Sequence, residues 1–150
     1  MTTMQDIANA HKNFGVIKDK AYEYIKFHQG TSFVELEKFM TANRFVDESY
    51  GNVTQALPNN ENVILWATKN ALVLAAYAAL TEEKKIHVTG AGEMATLCYL
   101  IDGKALTLPI AKDPRKQYKT PHWAPITFSS TEGPTPEEVR DYMKRSIDQL

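Results

Sequence analysis

The sequence lacks most of the features that would point directly to a catalytic or metal-binding function. Its 150 residues include one cysteine, Cys98, which excludes an internal disulfide and a cysteine-based zinc site. The histidines are scattered at positions 11, 28, 87 and 122, outside the spacing of zinc-binding motifs. Cys98 itself lies in the apolar segment ATLCYLI, with no evident base nearby in sequence. We therefore expect a non-enzymatic protein that needs no metal and no other cofactor.

Two weaker signals also favour structural roles. GAGE at 90–93 follows a predicted strand, but it lacks the third glycine of a dinucleotide-binding motif, and no helix is predicted after it. Asp47 and Glu48 are acidic neighbours in a turn-rich stretch, which is typical of solvated turns and helix caps.

Strong net charge and long apolar runs are missing as well. The net charge is −1 at pH 7, so attraction to nucleic acid or to anionic lipid would have to be local. The longest apolar run, ALVLAAYAAL at 71–80, is far shorter than the roughly 20 residues that span a bilayer. The opening MTTMQDIANAHKNF does not have the pattern of a signal peptide. We expect a cytoplasmic protein without a membrane partner.

What is present is the composition of an ordinary folded domain. The chain is 43% hydrophobic and 23% charged, and its length allows a sizeable buried core. We expect one domain over residues 1–150. Helical periodicity covers 3–29, either as one helix or broken at Gly15. Gly30 is placed to end that helix, and Ser32 with Glu35 forms a capping box for a second one.

The middle of the chain predicts a strand, a third helix and then a hairpin. VILWA at 63–67 has the β-branched and aromatic residues of a short buried strand, and a helix follows over 70–85. KIHVT and MATLCYLI are predicted strands, and Asp102-Gly103 is a typical hairpin turn that leads into KALTLPI. ITFSS at 126–130 is one further predicted strand. The fold class is therefore α+β.

Residues 18–101 resemble the winged helix-turn-helix superfamily in this order of helix, helix, strand, helix and hairpin. The resemblance is carried by DKAYEYIKFHQGTSFVELEKFM, ALVLAAYAALTEEKKIHV and MATLCYLI. It implies a winged-helix-like core over about 16–110, with 70–83 as the recognition helix, GAGE as the wing tip and DNA as the partner. The residues of the segment 70–83 argue against contacts between this helix and DNA bases, because a helix that is apolar on nearly all sides is normally buried. We expect the helix to be buried in the core or in a dimer interface, at Leu72, Leu74, Tyr77 and Leu80.

The best local concentration of positive charge is the basic loop, which we define as residues 111–125. Cations interleaved with aromatic rings suit phosphate contacts and base stacking. The candidate nucleic-acid-binding residues are Lys112, Arg115, Lys116, Tyr118, Lys119 and His122. The alternative is a solvated loop in which Tyr118 and Trp123 pack inward.

A C-terminal amphipathic helix over 135–150 completes the prediction. Thr135 is its N-cap, Pro136 its first residue and Glu138 the partner in a capping box. Its apolar stripe predicts either a homodimer interface or packing on the chain's own sheet. The dimer residues would be Val139, Tyr142, Met143, Ile147 and Leu150.

Two functional hypotheses follow. The first is a DNA-associated regulatory or accessory protein that contacts phosphates through the basic loop. The second is a protein–protein interaction module, such as an inhibitor, adaptor or assembly factor, that uses a winged-helix-like fold without binding nucleic acid.

Overall fold

Six helices and two three-stranded sheets make up the computed structural model of the protein, which describes residues 3–148. The fold is α+β, as the sequence predicts. The helices are α1 (Met4–Ala10), α2 (Phe14–Phe27), α3 (Phe33–Ala42), α4 (Ala71–Glu82), α5 (Gly92–Asp102) and α6 (Pro136–Asp148). The strands are β1 (Thr31–Ser32), β2 (Val53–Leu57), β3 (Asn60–Thr68), β4 (Ile86–Ala91), β5 (His122–Trp123) and β6 (Ile126–Ser130).

The two sheets differ in how their strands are connected. In the first sheet β6 lies between β1 and β4 and is antiparallel to both. In the second sheet β2 and β3 form an antiparallel hairpin, and β5 joins β3 in parallel. Every residue of β6 is buried. This strand lies near the end of the sequence and pairs with β1, which lies near its beginning, through Thr31 and Phe128.

Helix α4 is the centre of the hydrophobic core. Its N-cap residue Asn70 accepts a hydrogen bond from the Leu72 amide at 3.2 Å, and α4 packs against α1, α2, α3, β2 and β4. The prediction that this helix is buried is confirmed, and the burial occurs within one chain. The exposed fractions are 0% for Leu72, Leu74 and Leu80 and 6% for Tyr77.

Two local predictions are confirmed in part or in full. Ser32 Oγ caps α3 by accepting from the Glu35 amide at 3.0 Å, but the Glu35 carboxylate accepts from Tyr24 Oη and does not complete the predicted capping box. The predicted strand at 63–67 lies inside β3. Gly30 has a φ of 77°, a conformation that glycine adopts without steric cost, but α2 already ends at Phe27 with His28 as its C-cap. The predicted helix over 3–29 is interrupted between Ala10 and Phe14, and not at Gly15, which lies inside α2.

The predicted strand at 94–101 is wrong, because this segment belongs to helix α5. Asp102-Gly103 ends that helix and does not turn a hairpin: Gly103 has a φ of 85° and its amide bonds to the Leu100 carbonyl at 3.1 Å. An apolar run of this length fits a helix and a buried strand equally well in a single sequence. Of the predicted return strand, only Ile110 is bridged, to Trp123. A helix therefore does follow the GAGE segment, contrary to the prediction.

The absence of that hairpin changes the architecture within the described part of the chain. Strand β4 pairs with β6 and not with the residues after α5, so no wing hairpin forms over 86–110. Instead, the order helix, strand, helix occurs twice, as α2-β1-α3 and as α4-β4-α5. The two strands flank β6 on opposite sides.

Candidate nucleic-acid interface

The basic loop is closed at its base by backbone hydrogen bonds. The Ala111 amide donates to the Trp123 carbonyl at 2.8 Å, and the Trp123 amide donates to the Pro109 carbonyl at 2.7 Å. Trp123 is 2% exposed and donates from Nε1 to the Leu65 carbonyl at 3.1 Å. Its indole therefore packs inward, and the loop is attached firmly to β3.

Two asparagines of β3 hold the backbone of the loop in place. Asn60 Nδ2 donates to the carbonyls of Pro114 and Lys116 at 2.8 and 3.1 Å. Asn62 Nδ2 donates to the Tyr118 carbonyl at 2.7 Å. Because these bonds join residues more than 50 positions apart, the sequence offered no signal for them. The loop carries its side chains on a fixed scaffold.

The two candidate stacking residues contact each other. The rings of Tyr118 and His122 stack at 4.0 Å between centroids, and both side chains are half-buried. Tyr118 Oη accepts a hydrogen bond from the Asp113 amide at 3.1 Å. One face of each ring is therefore already covered within the loop, in part as the solvated-loop alternative predicts.

The four predicted cations all lie on the surface of this loop. Lys112, Arg115, Lys116 and Lys119 are exposed. Asp113 is the one acidic residue among them, and hydrogen bonds from Arg115 hold the pKa of its carboxyl below the ordinary value. Arg115 Nε lies 3.2 Å from that carboxylate, but its side chain is 92% exposed. The loop thus presents a net positive surface.

The predicted dimer residues of α6 divide into two groups. Val139 and Tyr142 are half-buried, and the Tyr142 ring stacks on Phe27 of α2 at 4.3 Å. Met143 and Ile147 are 57% and 63% exposed, and Leu150 lies outside the described residues.

Helix α6 is held against α2 by polar contacts as well. The capping box is confirmed by bonds of 3.1 and 3.2 Å between Thr135 and Glu138. Ion pairs join Lys26 to Glu138 at 2.7 Å and Arg145 to Glu23 at 3.2 Å. The helix packs on its own chain along one side, and its outer side stays a predicted dimer surface.

An apolar surface on α5 was missed by the sequence analysis. Met94, Leu97, Leu100 and Ile101 are 73%, 51%, 60% and 83% exposed. Once the segment is known to be a helix, their spacing of three or four residues places them on one face. That signal was present in the sequence, but it was hidden by the prediction of a strand.

Two weak chemical signals of the sequence can be compared with the structure. Helix α5 begins at Gly92 within GAGE, but the segment still lacks the third glycine of a dinucleotide-binding motif. Within residues 3–148, no group of three metal-ligating side chains is close enough to hold an ion. A Cβ atom at Gly90 would collide with Thr127 Oγ1, so this glycine of GAGE permits close packing between β4 and β6. Among the described helices, none has the length and apolar character needed to cross a membrane.

Comparison of the chain with protein-family models, with curated proteins and with solved structures finds no match.

Proposed function

We propose that the protein is a DNA-associated regulatory or accessory protein that contacts the phosphate backbone through the basic loop. The observation that carries this proposal is the fixed presentation of exposed cations. They project from a backbone that Asn60 and Asn62 hold in place. A surface that is already ordered loses less conformational entropy on binding, which favours affinity.

The proposed contact is electrostatic and independent of base sequence. Phosphate contacts position a protein on nucleic acid, whereas base edges are read by polar side chains that enter a groove. Helix α4, the recognition helix in the winged-helix comparison, is enclosed in the core. Of the resemblance to winged-helix proteins, the proposal keeps only the pair of helices in the α2-β1-α3 unit.

The test compares two triple variants of equal charge change. One neutralises the loop (Arg115→Gln, Lys116→Gln, Lys119→Gln), and the control neutralises exposed positions on α2 and α6 (Lys20→Gln, Arg140→Gln, Lys144→Gln). Fluorescence anisotropy with labelled DNA duplexes of unrelated sequence measures affinity from about 50 mM salt upward. We expect the loop variant to lose at least about tenfold in affinity on every duplex and the control to bind like the wild type.

The salt dependence provides a second readout. The logarithm of the binding constant falls as the logarithm of the salt concentration rises, and each phosphate contact makes this slope steeper by about 0.9. The slope of the loop variant should therefore be shallower than that of the wild type by about 2 to 3. Absence of a complex at the lowest salt contradicts the proposal. An equal loss in both variants would assign the binding to net charge and not to this loop.

A second candidate function is the protein–protein interaction module. The observation that favours it is the exposed apolar face of α5, which is more typical of a protein contact than of a nucleic-acid contact. In that case the loop variant would leave binding of the protein partner intact, and substitutions on α5 would abolish it.

A further inference from the structure

Helix α5 carries apolar side chains on its outward face as well as on its inward face. Its inward face carries Ala95 and Tyr99, which are 1% and 0% exposed. Its outward face carries four large apolar side chains that are 51–83% exposed, namely Met94, Leu97, Leu100 and Ile101. A surface helix normally places polar residues on that side. An exposed apolar face of this kind is typical of a surface that another protein covers.

The apolar surface continues beyond the helix. A groove lined by Leu97, Ile110 and Ala111 connects the helix to a second groove that is lined by Val88 of the edge strand β4. Val88 is 49% exposed and Ile110 is 39% exposed. Together with the four residues of α5, they present on the order of 600 Å² of apolar surface, the upper end of the roughly 300–600 Å² found for the largest patch on a typical monomer.

The first turn of α5 is acidic, whereas its last turn carries charges of both signs. Glu93 lies in its first turn. At its last turn, Lys38 Nζ donates to the Asp102 carbonyl at 2.7 Å, whereas Lys104, which is 51% exposed, is already paired with Glu37 of its own chain at 2.8 Å. A second copy of the helix in antiparallel orientation would bring Glu93 towards Lys38 of the second copy, whose ammonium group bonds to a neutral carbonyl in its own chain. A parallel copy would place the two glutamates side by side.

We propose that the outward face of α5 is a homodimer interface, in which a second copy of the chain packs its own α5 antiparallel across this one. The arrangement is two-fold symmetric, the commonest symmetry of soluble oligomers, and one self-complementary patch serves both copies. The apolar area on each copy approaches the roughly 800 Å² per partner that stable interfaces bury. Leu97 lies near the middle of the helix and close to the two-fold axis.

The outer side of α6 is the weaker candidate for the same role. Among residues 136–148 it exposes two large apolar side chains, Met143 and Ile147, where the α5 surface exposes six. Helix α6 also already packs on α2 through Tyr142 and two ion pairs. Its exposed side chains supply a matched control.

The dimer would also place two basic loops in one assembly. Lys112, at the base of the loop, lines the same groove as Leu97 of α5, so each loop lies beside the interface. Two loops would contact phosphates at two places on one nucleic acid. This consequence rests on the proposed function, whereas the dimer itself does not.

Sedimentation velocity on the full chain tests the interface. Leu97→Glu with Ile101→Glu places charge on the α5 face, and Met143→Glu with Ile147→Glu does the same on α6. All four positions are exposed, so neither pair should disturb the core. Circular dichroism checks that each variant is folded. We expect the wild type and the α6 variant to sediment as dimers at tens of micromolar and the α5 variant as a monomer.

A wild-type monomer at that concentration overturns the proposal and leaves α5 to a different protein partner. Dissociation by the α6 substitutions, with the α5 variant still dimeric, places the interface on α6 and overturns it as well. Anisotropy on the same samples separates the two proposals. If the wild type is a dimer that the α5 substitutions dissociate but it binds no DNA, the proposed function fails and the α5 interface stands.

Discussion

At the scale of single residues, Tyr99 connects three elements of the core. Its Oη donates to the Ile126 carbonyl of β6 at 2.7 Å and accepts from the Phe33 amide of α3 at 3.1 Å. Its ring meets Trp123 edge-on at 5.1 Å. Burial raises the pKa of the Tyr99 phenol well above its ordinary value, because the charged form would lose its hydration. This one hydroxyl anchors the inner face of α5.

Replacing Tyr99 by Phe tests that role. The substitution keeps the ring but leaves a buried amide and a buried carbonyl without this partner, which should lower the free energy of unfolding by about 1–3 kcal/mol. Urea unfolding measures the change, and Tyr50→Phe at the surface is the control, with a change within about 0.5 kcal/mol expected. Equal effects of the two substitutions would argue against the anchoring role.

At the scale of elements, the helices differ in what they bury. Helix α4 has eight buried residues among its twelve and no polar face, so neighbouring elements have to cover it on all sides. Helix α6 has no fully buried residue among those described and is held by caps, ion pairs and one aromatic stack. Disruption of α4 should therefore unfold the chain, whereas α6 contributes less to the core.

Replacing Leu74 by Ala measures the contribution of α4. Leu74 is 0% exposed, and large-to-small changes at such positions cost about 2–5 kcal/mol of unfolding free energy. Val16→Ala on α2, where Val16 is 58% exposed, should change stability by less than about 0.5 kcal/mol. A loss below about 1 kcal/mol at Leu74 would contradict the central position of α4.

At the scale of the whole molecule, ionisable groups define a pH range of stability. The hydrogen bond from Lys18, at 2.8 Å, holds the pKa of Glu83 below its ordinary value, and hydrogen bonds from Ser49 do the same for Asp47. Burial raises the pKa of Tyr77 and Tyr99. The carboxylates favour the folded state in their charged form, and the tyrosines favour it in their neutral form.

These directions predict how stability depends on pH. A lowered carboxyl pKa contributes stability above the unfolded value of about 4, and this contribution is lost as pH falls through the folded value. A raised tyrosine pKa contributes stability below about 10, and this is lost as pH rises towards the folded value. Chemical unfolding across pH should therefore show a plateau between about pH 5 and pH 9, with a decline on either side.

Glu83→Gln is the control for the acid side of that profile. The variant should be less stable at neutral pH and should lose less stability on acidification, because it has no proton to take up at this position. If wild-type stability does not change between about pH 5 and pH 3, the assignment of acid sensitivity to these carboxylates is wrong.

The sequence by itself determined the elements whose signals are local. Ser32 and Thr135 mark the beginnings of α3 and α6 through capping bonds that span three residues, and the absence of charge in 71–80 determined that α4 is buried. The four cations of the basic loop were also readable from their order along the chain.

Only the tertiary structure decided the rest. The segment 94–101 forms a helix whose Tyr99 bonds to β6 and α3, whereas its apolar run alone fitted a strand equally well. The basic loop has its shape because Asn60 and Asn62, more than 50 positions earlier in the chain, donate to its carbonyls. Such contacts depend on which distant segments come together in the folded chain, and a local pattern of residues does not determine that.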